Sequence, residues 1–519
     1  MPKKVNLDAL IKREDFEAEE FSSSNIPPIT TISIEALEKN DFFLRFLRKP
    51  DFQRETNEWD INKIVQFIKS SIDGDLIPAL ILWRSSSGLN FIIDGSHRFS
   101  SLFAWINDDY GDGLISKTFY DGDIPDDQMK IADKARKVIR KEIGAYNDFK
   151  LALLNQDKKY PDIFKKRLQN IASRALQLQW VEGDVKTAEA SFFKINLQAA
   201  PINPTEIKLL ESRRKPNCIA ARAITHAGKG HKYWAKFSEE KQMQIQEIST
   251  EINTILFSPK LETPIKTLDI PIGGNPYSSQ TLSLIFDFVN ITNNISIFSD
   301  FKKDLQDDDD GTKTIQFLKK TREVAQEINS IHPGSLGLHP IVYFYSKEGR
   351  HKTTSFIATI HFIMELNRMN KKKDFTDIRE KFEKIIVDYD YLVQQIGRNY
   401  RKSKFSYKHV TEFYFKIIDF LKEGHNTEEV ITNIVGTKDF RDLKLQIENE
   451  KDRITSSEKK SSTFIKEAFS NPIKCKICNG FIHKNSITID HIKRKREGGS
   501  DNTDNLQLTH PYCNTTYKQ

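Results

Sequence analysis

The chain has 519 residues, of which 38% are hydrophobic and 29% charged, with a formal net charge of +7. That length can bury several hydrophobic cores, so we expect roughly two to four domains. The mild basic excess is compatible with a polyanionic partner but does not establish one. No apolar run reaches the roughly 18 residues that a membrane span needs, and the polar start is not a secretory signal. These features exclude an integral membrane protein and favour the cytoplasm.

The first part of the chain predicts a mixed α/β domain. Residues 1–30 are polar and end in a Ser- and Pro-rich stretch, so we expect a flexible lead-in. Segments 77–85 and 89–95 are apolar and bounded by turn residues, which predicts a pair of strands. Segment 61–72 has apolar residues at helical spacing. We place this mixed domain at residues 31–215.

The remainder predicts a helical region followed by a small module. Amphipathic patterns recur through residues 216–460, which indicates a mainly helical middle region. A polar segment, 450–464, leads to a last module at 465–519. The expected fold class is therefore α+β and multidomain: a mixed α/β domain, a helical middle and a small C-terminal module.

Three of the four cysteines fall in the C-terminal module, which suggests metal rather than a disulfide scaffold. Cys475 and Cys478 form a C-x-x-C pair, and His510 and Cys513 form an H-x-x-C pair about 30 residues later. Two such pairs have the ligand spacing of a closed tetrahedral zinc site. A module this small needs such a staple. An incidental cysteine pair would leave the histidine in register with it unexplained.

Between the two ligand pairs lie residues suited to phosphodiester hydrolysis. ITID predicts a strand that ends in Asp490 and His491, NLQLT a second strand, and a short helix then places Asn514. His491 can act as general base. Asp490 and Asn514 offer hard oxygen ligands for Mg²⁺ or Mn²⁺ rather than zinc. Asn505 is suited to holding the intervening loop and orienting His491 through backbone hydrogen bonds.

The loop after the first strand begins with a basic run that can neutralise the phosphates of double-stranded DNA. The run consists of Lys493, Arg494, Lys495 and Arg496. It would bring the DNA backbone to the Asp-His pair.

This C-terminal stretch resembles an HNH endonuclease of the ββα-metal class over about 45 residues. The resemblance rests on the C-x-x-C pair, the D-H pair, a G-G loop, N-L, and a second ligand pair followed by Asn. It implies His491 as general base, Asn505 as the middle residue, and one catalytic divalent metal shared by Asp490 and Asn514. Two positions depart from the pattern: Asn514 stands where the last His often stands, and His510 replaces a common Cys. The chain is thus an H-N-N variant.

A second constellation, D-G-S-H-R, follows the predicted strand 89–95. The strand delivers Asp94, Gly95 permits a tight turn, and Arg98 lies in the first turn of a helix, which makes a ready anion site. Upstream, Gln53 and Arg54 begin a Q-R-x-x-x-x-W stretch. Alone, a strand, a turn and a helix with a surface Arg would need no function.

Together these pieces resemble the N-terminal domain of GmrSD-type, modification-dependent (type IV) restriction enzymes, which is a ParB/sulfiredoxin-like domain. Its motif is usually D-G-Q-Q-R or D-G-Q-H-R; here Ser96 replaces the first Gln, and His97 precedes the Arg. A later stretch with Phe192, Asn196 and Glu206 is also similar. The resemblance implies a nucleoside triphosphate site at Gln53, Arg54 and Asp94 to Arg98. The Ser96 departure bears on hydrolysis more than on binding.

The sequence is therefore interpreted as a DNA endonuclease with an N-terminal nucleotide-binding sensor, acting against foreign, modified phage DNA. The defence role is inferred by analogy with proteins that combine these two modules. Two other classes stay open: a DNA-binding sensor with an inactive HNH module, and a nucleotide hydrolase that only docks on DNA. A double-strand break would require a homo-oligomer or two successive nicks.

Overall fold

The computed structural model describes residues 4–14, 16, 28–38, 42–50, 53, 56–120, 122, 124, 126–154, 159–199, 208–209, 212–229, 231–276, 280–296, 305–400, 406–445 and 455–518. The chain divides into two compact units. The N-terminal unit contains residues 1–213 and 229–233, and the C-terminal unit contains residues 214–228 and 234–519. None of the described helices is long and apolar enough to cross a membrane.

The described part of the N-terminal unit is built on a mixed six-stranded sheet in the order β1-β3-β5-β4-β6-β2. Its strands are β1 (Arg13–Glu14), β2 (Thr31–Ser33), β3 (Leu47–Pro50), β4 (Leu80–Arg84), β5 (Asn90–Asp94) and β6 (Ala175–Val181). Strands β4 and β5 form an antiparallel pair, while β5 and β3 are parallel, as are β4 and β6. The predicted strand pair is confirmed, and its second strand delivers Asp94 at the carboxyl end.

Helices connect several of these strands along the chain. They are α1 (Phe42–Phe46), α2 (Ile61–Asp73), α3 (Ser96–Asn107), α4 (Leu114–Phe119), α5 (Asp126–Glu142), α6 (Tyr146–Leu154), α7 (Asp162–Ser173) and α8 (Val185–Ala199). Helix α2 confirms the predicted helix. The Asp60 carboxylate caps its first turn by accepting from the Lys63 N–H at 2.9 Å. Its buried face, with Ile64 and Ile68, belongs to the main core.

Residues 4–14 form part of this unit, so the predicted flexible lead-in over residues 1–30 is wrong for that stretch. Strand β1 pairs in parallel with β3. Val5, Leu7 and Ile11 are buried in the main core, and the Leu7 N–H donates to the Thr56 carbonyl at 2.8 Å. The apolar spacing of VNLDALI was the signal for this segment, but its polar neighbours obscured it.

A buried charge cluster anchors the same segment. The Asp8 carboxylate accepts hydrogen bonds from the Arg13 side chain at 2.9 and 3.1 Å, from the Lys49 ammonium and from the Thr56 N–H at 2.8 Å. Burial raises the pKa of the Asp8 carboxyl, but the charges of Arg13 and Lys49 outweigh burial and hold that pKa well below its usual value. Arg13 also donates to the Gln53 carbonyl. The N-terminal segment therefore fixes the loop that carries Gln53.

The C-terminal unit is mainly helical, as predicted for residues 216–460. Its helices are α9 (Pro216–Thr225), α10 (Glu239–Phe257), α11 (Thr281–Thr292), α12 (Thr312–Ile328), α13 (Pro340–Tyr343), α14 (Thr353–Arg368), α15 (Lys372–Asp388), α16 (Asp390–Asn399), α17 (Ser406–Lys422), α18 (Thr427–Val435) and α19 (Ser456–Ala468). Aromatic rings join three of them: Phe362 of α14 lies 5.8 Å from Phe382 of α15 and 5.4 Å from Tyr414 of α17, measured between ring centroids.

The unit ends in an antiparallel hairpin of β7 (Thr488–His491) and β8 (Leu506–Thr509), followed by a short helical segment, Cys513–Tyr517. This order of strand, loop, strand and helix confirms the elements predicted for the C-terminal module. The hairpin lies in the same compact unit as the helices. The predicted boundary at residue 465 stays a prediction.

Replacing Asp8 by Asn should destabilise the N-terminal unit by about 3–5 kcal/mol, because Arg13 and Lys49 would remain buried without their counter-charge. Urea unfolding followed by tryptophan fluorescence measures the change. Asp133→Asn is the matched control: this carboxylate is paired with Lys137 on the surface, where such a pair contributes at most about 1 kcal/mol. Equal stability of Asp8→Asn and Asp133→Asn would contradict an anchoring role.

Candidate metal centre and nuclease site

The four residues predicted to bind zinc come together in a buried group. The ligand atoms of Cys475, Cys478, His510 and Cys513 all lie within 4.8 Å of one another. Asn479 adopts a left-handed conformation with φ of 53°, and its N–H donates to the Cys475 carbonyl, which closes the turn between the first two ligands. A Cys₃His set of this compactness is arranged for a tetrahedral metal ion.

The ring of His510 is oriented for metal binding through Nδ1. Its Nε2 lies 3.0 Å from the carbonyl oxygen of Phe481, so Nε2–H donates there. Nδ1 then faces the sulfurs, at 3.4 Å from the Sγ of Cys478. Burial, and next the charge of Arg379, lower the pKa of His510, which favours the neutral imidazole that binds metals.

A buried ion pair on helix α15 lies beside this group. The sequence alone did not reveal the pair. Arg379 is 1% exposed and Glu383 is 0% exposed, and the Arg379 Nε donates to Glu383 at 2.7 Å. The guanidinium also donates to the carbonyls of Leu336 and Gly337. The second oxygen of Glu383 accepts from the Phe481 N–H at 2.9 Å. In the sequence, this pair looks like an ordinary i,i+4 surface pair.

Asp490 lies near the end of β7 with its carboxylate held in place. The residue is 7% exposed. Its Oδ2 accepts from the Gln507 amide at 2.8 Å and from the Lys518 ammonium at 2.7 Å. Lys518 also donates to the His491 carbonyl at 2.6 Å. Lys518 lies outside the motif, so the sequence analysis did not identify it.

His491 has a partly exposed imidazole, with 26% of the side chain accessible. Its Nε2 lies 2.8 Å from Oδ1 of Asp501, which was not foreseen. Hydrogen bonds from Lys495 and then from His491 lower the pKa of the Asp501 carboxyl, so it remains an ionised acceptor at neutral pH.

Asn505 closes the loop between the strands through its side chain. Its side-chain oxygen accepts from the Lys493 N–H at 2.8 Å, and its amide donates to the carbonyls of Lys493 and Ser500 at 2.9 and 2.7 Å. The Asn505 carbonyl accepts from the Ile492 N–H at 2.8 Å. The loop is therefore pinned at both ends by one residue.

Asn514 lies in the helical segment after β8, beside the first residue of β7. Its amide nitrogen lies 3.5 Å from Oγ1 of Thr488. Thr488 and Asp490 lie on the same face of β7, because side chains alternate along a strand. Within the described part of the chain, the Oδ1 atoms of Asp490 and Asn514 have no hydrogen-bond partner. A carboxylate oxygen and an amide oxygen are donor types that suit a hard divalent cation.

The basic run is only partly available to a ligand. Arg494 donates to the Lys518 carbonyl, and Lys495 pairs with Asp501 at 2.7 Å. Lys493 and Arg496 are exposed, and among the residues described here their side chains make no ion pair. Two of the four predicted phosphate contacts would therefore have to exchange an internal partner for DNA.

In the N-terminal unit, the D-G-S-H-R motif forms a strand, a tight turn and a helix, as predicted. Gly95 has a φ of 99°, and a Cβ there would lie 2.5 Å from Leu80, so only glycine fits. Helix α3 begins at Ser96 without a side-chain cap. The first N–H groups of any helix have no acceptor within the helix itself. Arg98 forms an ion pair with Asp94.

Gln53 and His97 are both buried in the same unit. The Oε1 atom of Gln53 has no hydrogen-bond partner among the described residues. The Nε2 atom of His97 accepts from the Glu58 N–H at 3.3 Å, and the His97 ring stacks on Trp59 at 5.6 Å. Phe192 is buried in a hydrophobic cluster. Three further predicted members lie outside the described residues: Arg54, Glu206 and the side chain of Asn196.

Cys513→Ala should lower the bound metal from about one zinc ion per chain to a small fraction of that, because a three-ligand site no longer closes around zinc. Elemental analysis of the purified protein measures the content. Cys218→Ala is the matched control, since Cys218 is buried in α9 outside the ligand group. Unchanged zinc content in Cys513→Ala would exclude this metal centre.

Two protein-family models match the chain, in the regions of the two predicted domains. Residues 34–216 match the model of the GmrSD restriction endonuclease N-terminal domain, and residues 475–519 match the HNH endonuclease model. Searches of curated proteins and of solved structures gave no match. The second match covers all four metal-ligand positions and the hairpin between them. Residues 34–216 thus carry a GmrSD-type N-terminal domain and residues 475–519 an HNH domain, and together the two matches support a GmrSD-type restriction endonuclease.

Proposed function

We propose that the protein hydrolyses phosphodiester bonds of double-stranded DNA at the HNH hairpin, with His491 as general base. The observation that carries this proposal is the placement of Asp490 and His491 at the end of β7, the strand whose first residue, Thr488, contacts Asn514. The Nε2–H of His491 is directed to Asp501, which leaves Nδ1 to accept a proton from water.

Asp490 and Asn514 would hold one Mg²⁺ or Mn²⁺ through their side-chain oxygens. When bound, such an ion supplies positive charge for the scissile phosphate and the leaving oxygen. The chain contributes the positions: Gln507 and Lys518 hold the carboxylate of Asp490, and Thr488 contacts Asn514. A distinct structural zinc would occupy the Cys₃His group, which leaves no open ligand position for chemistry.

Electrostatic attraction would bring DNA to this site. Lys493 and Arg496 are exposed and available to backbone phosphates, while Arg494 and Lys495 can join after exchanging their internal partners. These contacts carry no base information. Any selectivity for modified DNA would therefore come from elsewhere in the chain.

We propose that the N-terminal unit is a nucleotide-binding sensor that regulates cleavage. The uncapped start of α3 favours a phosphate group, and the guanidinium of Arg98 lies in the first turn of that helix. The buried Gln53 side chain offers a further polar group, with its oxygen unpartnered in the described residues. The proposed biological role is defence in the cytoplasm against foreign phage DNA that carries modified bases.

His491→Ala should lower the rate of plasmid cleavage in Mg²⁺ by roughly 10²–10⁴-fold, because the attacking water would lose its base. The assay follows conversion of supercoiled plasmid and of modified phage DNA, with and without each nucleotide. The control is His425→Ala, a partly exposed histidine in the turn before α18. If both variants cleave at the wild-type rate, His491 is not the base. If no DNA is cut by the wild-type protein, the module is better interpreted as a DNA-binding end.

Arg98→Met should weaken nucleoside triphosphate binding by at least about tenfold, as expected for loss of a charge-assisted hydrogen bond. The variant also leaves Asp94 without its counter-charge. Isothermal titration with ATP and GTP measures the change. Arg140→Met serves as control, because Arg140 is half exposed and pairs with Asp108 in the same unit. Equal affinity in the two variants would exclude Arg98 from the site.

A further inference from the structure

Asp501 is a side chain in the nuclease loop to which the motif analysis gave no role. It is 71% exposed, yet its Oδ1 lies 2.8 Å from the Nε2 of His491. Within the described part of the chain, the His491 imidazole makes no other hydrogen bond. The backbone of His491 is fixed by β7 and by Lys518, whereas the rotation of its ring is fixed, among the described residues, by the hydrogen bond with Asp501.

The loop backbone holds Asp501 at this position. The carbonyl of Ser500, the residue before it, accepts from the Asn505 amide at 2.7 Å. Gly499 packs so tightly that a Cβ there would lie 1.9 Å from the Lys493 carbonyl oxygen. Its N–H donates to the Arg494 carbonyl at 3.0 Å. Asp501 thus follows a point where the backbone of Gly499 packs closely against that of Lys493 and Arg494. This close packing leaves the Asp501 carboxylate beside His491.

We propose that Asp501 is a positioning residue, which holds the imidazole of His491 through Nε2 so that Nδ1 faces the attacking water. An ionised carboxylate can only accept hydrogen bonds, so Nε2 carries the proton and Nδ1 has the lone pair. The proposal rests on the proposed role of His491 as general base. It assigns the orientation of the base to a side chain beyond the His-Asn-Asn set.

Lys495 shares the same oxygen of Asp501, at 2.7 Å. It therefore competes with His491 for this acceptor. A DNA phosphate that takes Lys495 would leave the carboxylate to His491 alone. Two effects of Asp501 can then be separated: alignment of His491, which acts on kcat, and retention of Lys495, which acts on the KM for DNA.

The kinetic test uses the full chain with supercoiled plasmid in Mg²⁺. Asp501→Ala should lower kcat on the order of 10²-fold, the cost expected for a misaligned catalytic group, without raising KM. Asp501→Glu should recover part of the loss, because it restores a carboxylate. Asp504→Ala is the matched control: Asp504 is exposed in the same loop and makes no ion pair within the described residues. It should leave both constants unchanged.

A second measurement reads the hydrogen bond without cleavage. Histidine-selective ¹⁵N labelling and long-range ¹H–¹⁵N correlation report which ring nitrogen carries the proton, with His491→Gln identifying the signal. We expect the Nε2–H form in the wild-type protein, and loss of its single tautomer in Asp501→Ala.

Wild-type kcat in Asp501→Ala, a raised KM with unchanged kcat, or an Nδ1–H form in the wild-type protein would each overturn the proposal. If the wild-type protein cuts no DNA, the proposed nuclease function fails. The tautomer then still shows whether Asp501 orients the ring.

Discussion

The buried ion pair between Arg379 and Glu383 joins the nuclease module to the helical part of the C-terminal unit. Both side chains are almost completely excluded from solvent, where an unpaired charge would cost several kcal/mol. Each therefore depends on the other, and both depend on backbone groups of the surrounding segments. Glu383 accepts from the N–H of Phe481, close after Cys478 in the chain, and the guanidinium donates to the carbonyl of Gly337 in the segment before α13. The segment that carries the Cys₃His group and helix α15 are therefore packed together in one core.

Other contacts reinforce this attachment. Ser486 lies 3.0 Å from Ser335 between hydroxyl oxygens, and the Tyr512 N–H donates to the Ser335 carbonyl. The buried ring of His483 contacts Asn329 at 3.0 Å. The hairpin that carries the proposed catalytic residues is therefore held against the helical part of its own unit. Its geometry depends on that framework as well as on the Cys₃His group.

Local patterns predicted the parts of this structure that depend on neighbours in sequence. Ligand spacing located the Cys₃His group, alternation located the hairpin, and the hydrogen-bonding capacity of Asn505 suggested its loop contacts. Gly95 was predicted at a tight turn and lies in one. In each case the feature depends on residues close together in sequence, or on the ligand spacing that a tetrahedral zinc site requires.

Two of the contacts that were missed join charges far apart in the chain. Asp8 meets Lys49 across 41 positions, and Lys518 meets Asp490 across 28. Arg379 and Glu383 are close in sequence, but only the fold shows that their helix face is buried. Charged residues carry no periodicity that separates a buried pair from a solvated one, so these partners follow from tertiary structure alone.

Metal-dependent catalysis at the HNH hairpin is the central claim. Metal binding and DNA cleavage can be measured on the same samples. Electron paramagnetic resonance would count bound Mn²⁺ in zinc-loaded wild-type protein and in Asp490→Ala, and the same samples would be assayed for plasmid cleavage. The account predicts that the wild-type protein binds Mn²⁺ and cleaves, and that Asp490→Ala does neither while keeping its zinc. Undiminished cleavage by Asp490→Ala, or cleavage without any divalent ion, would contradict it.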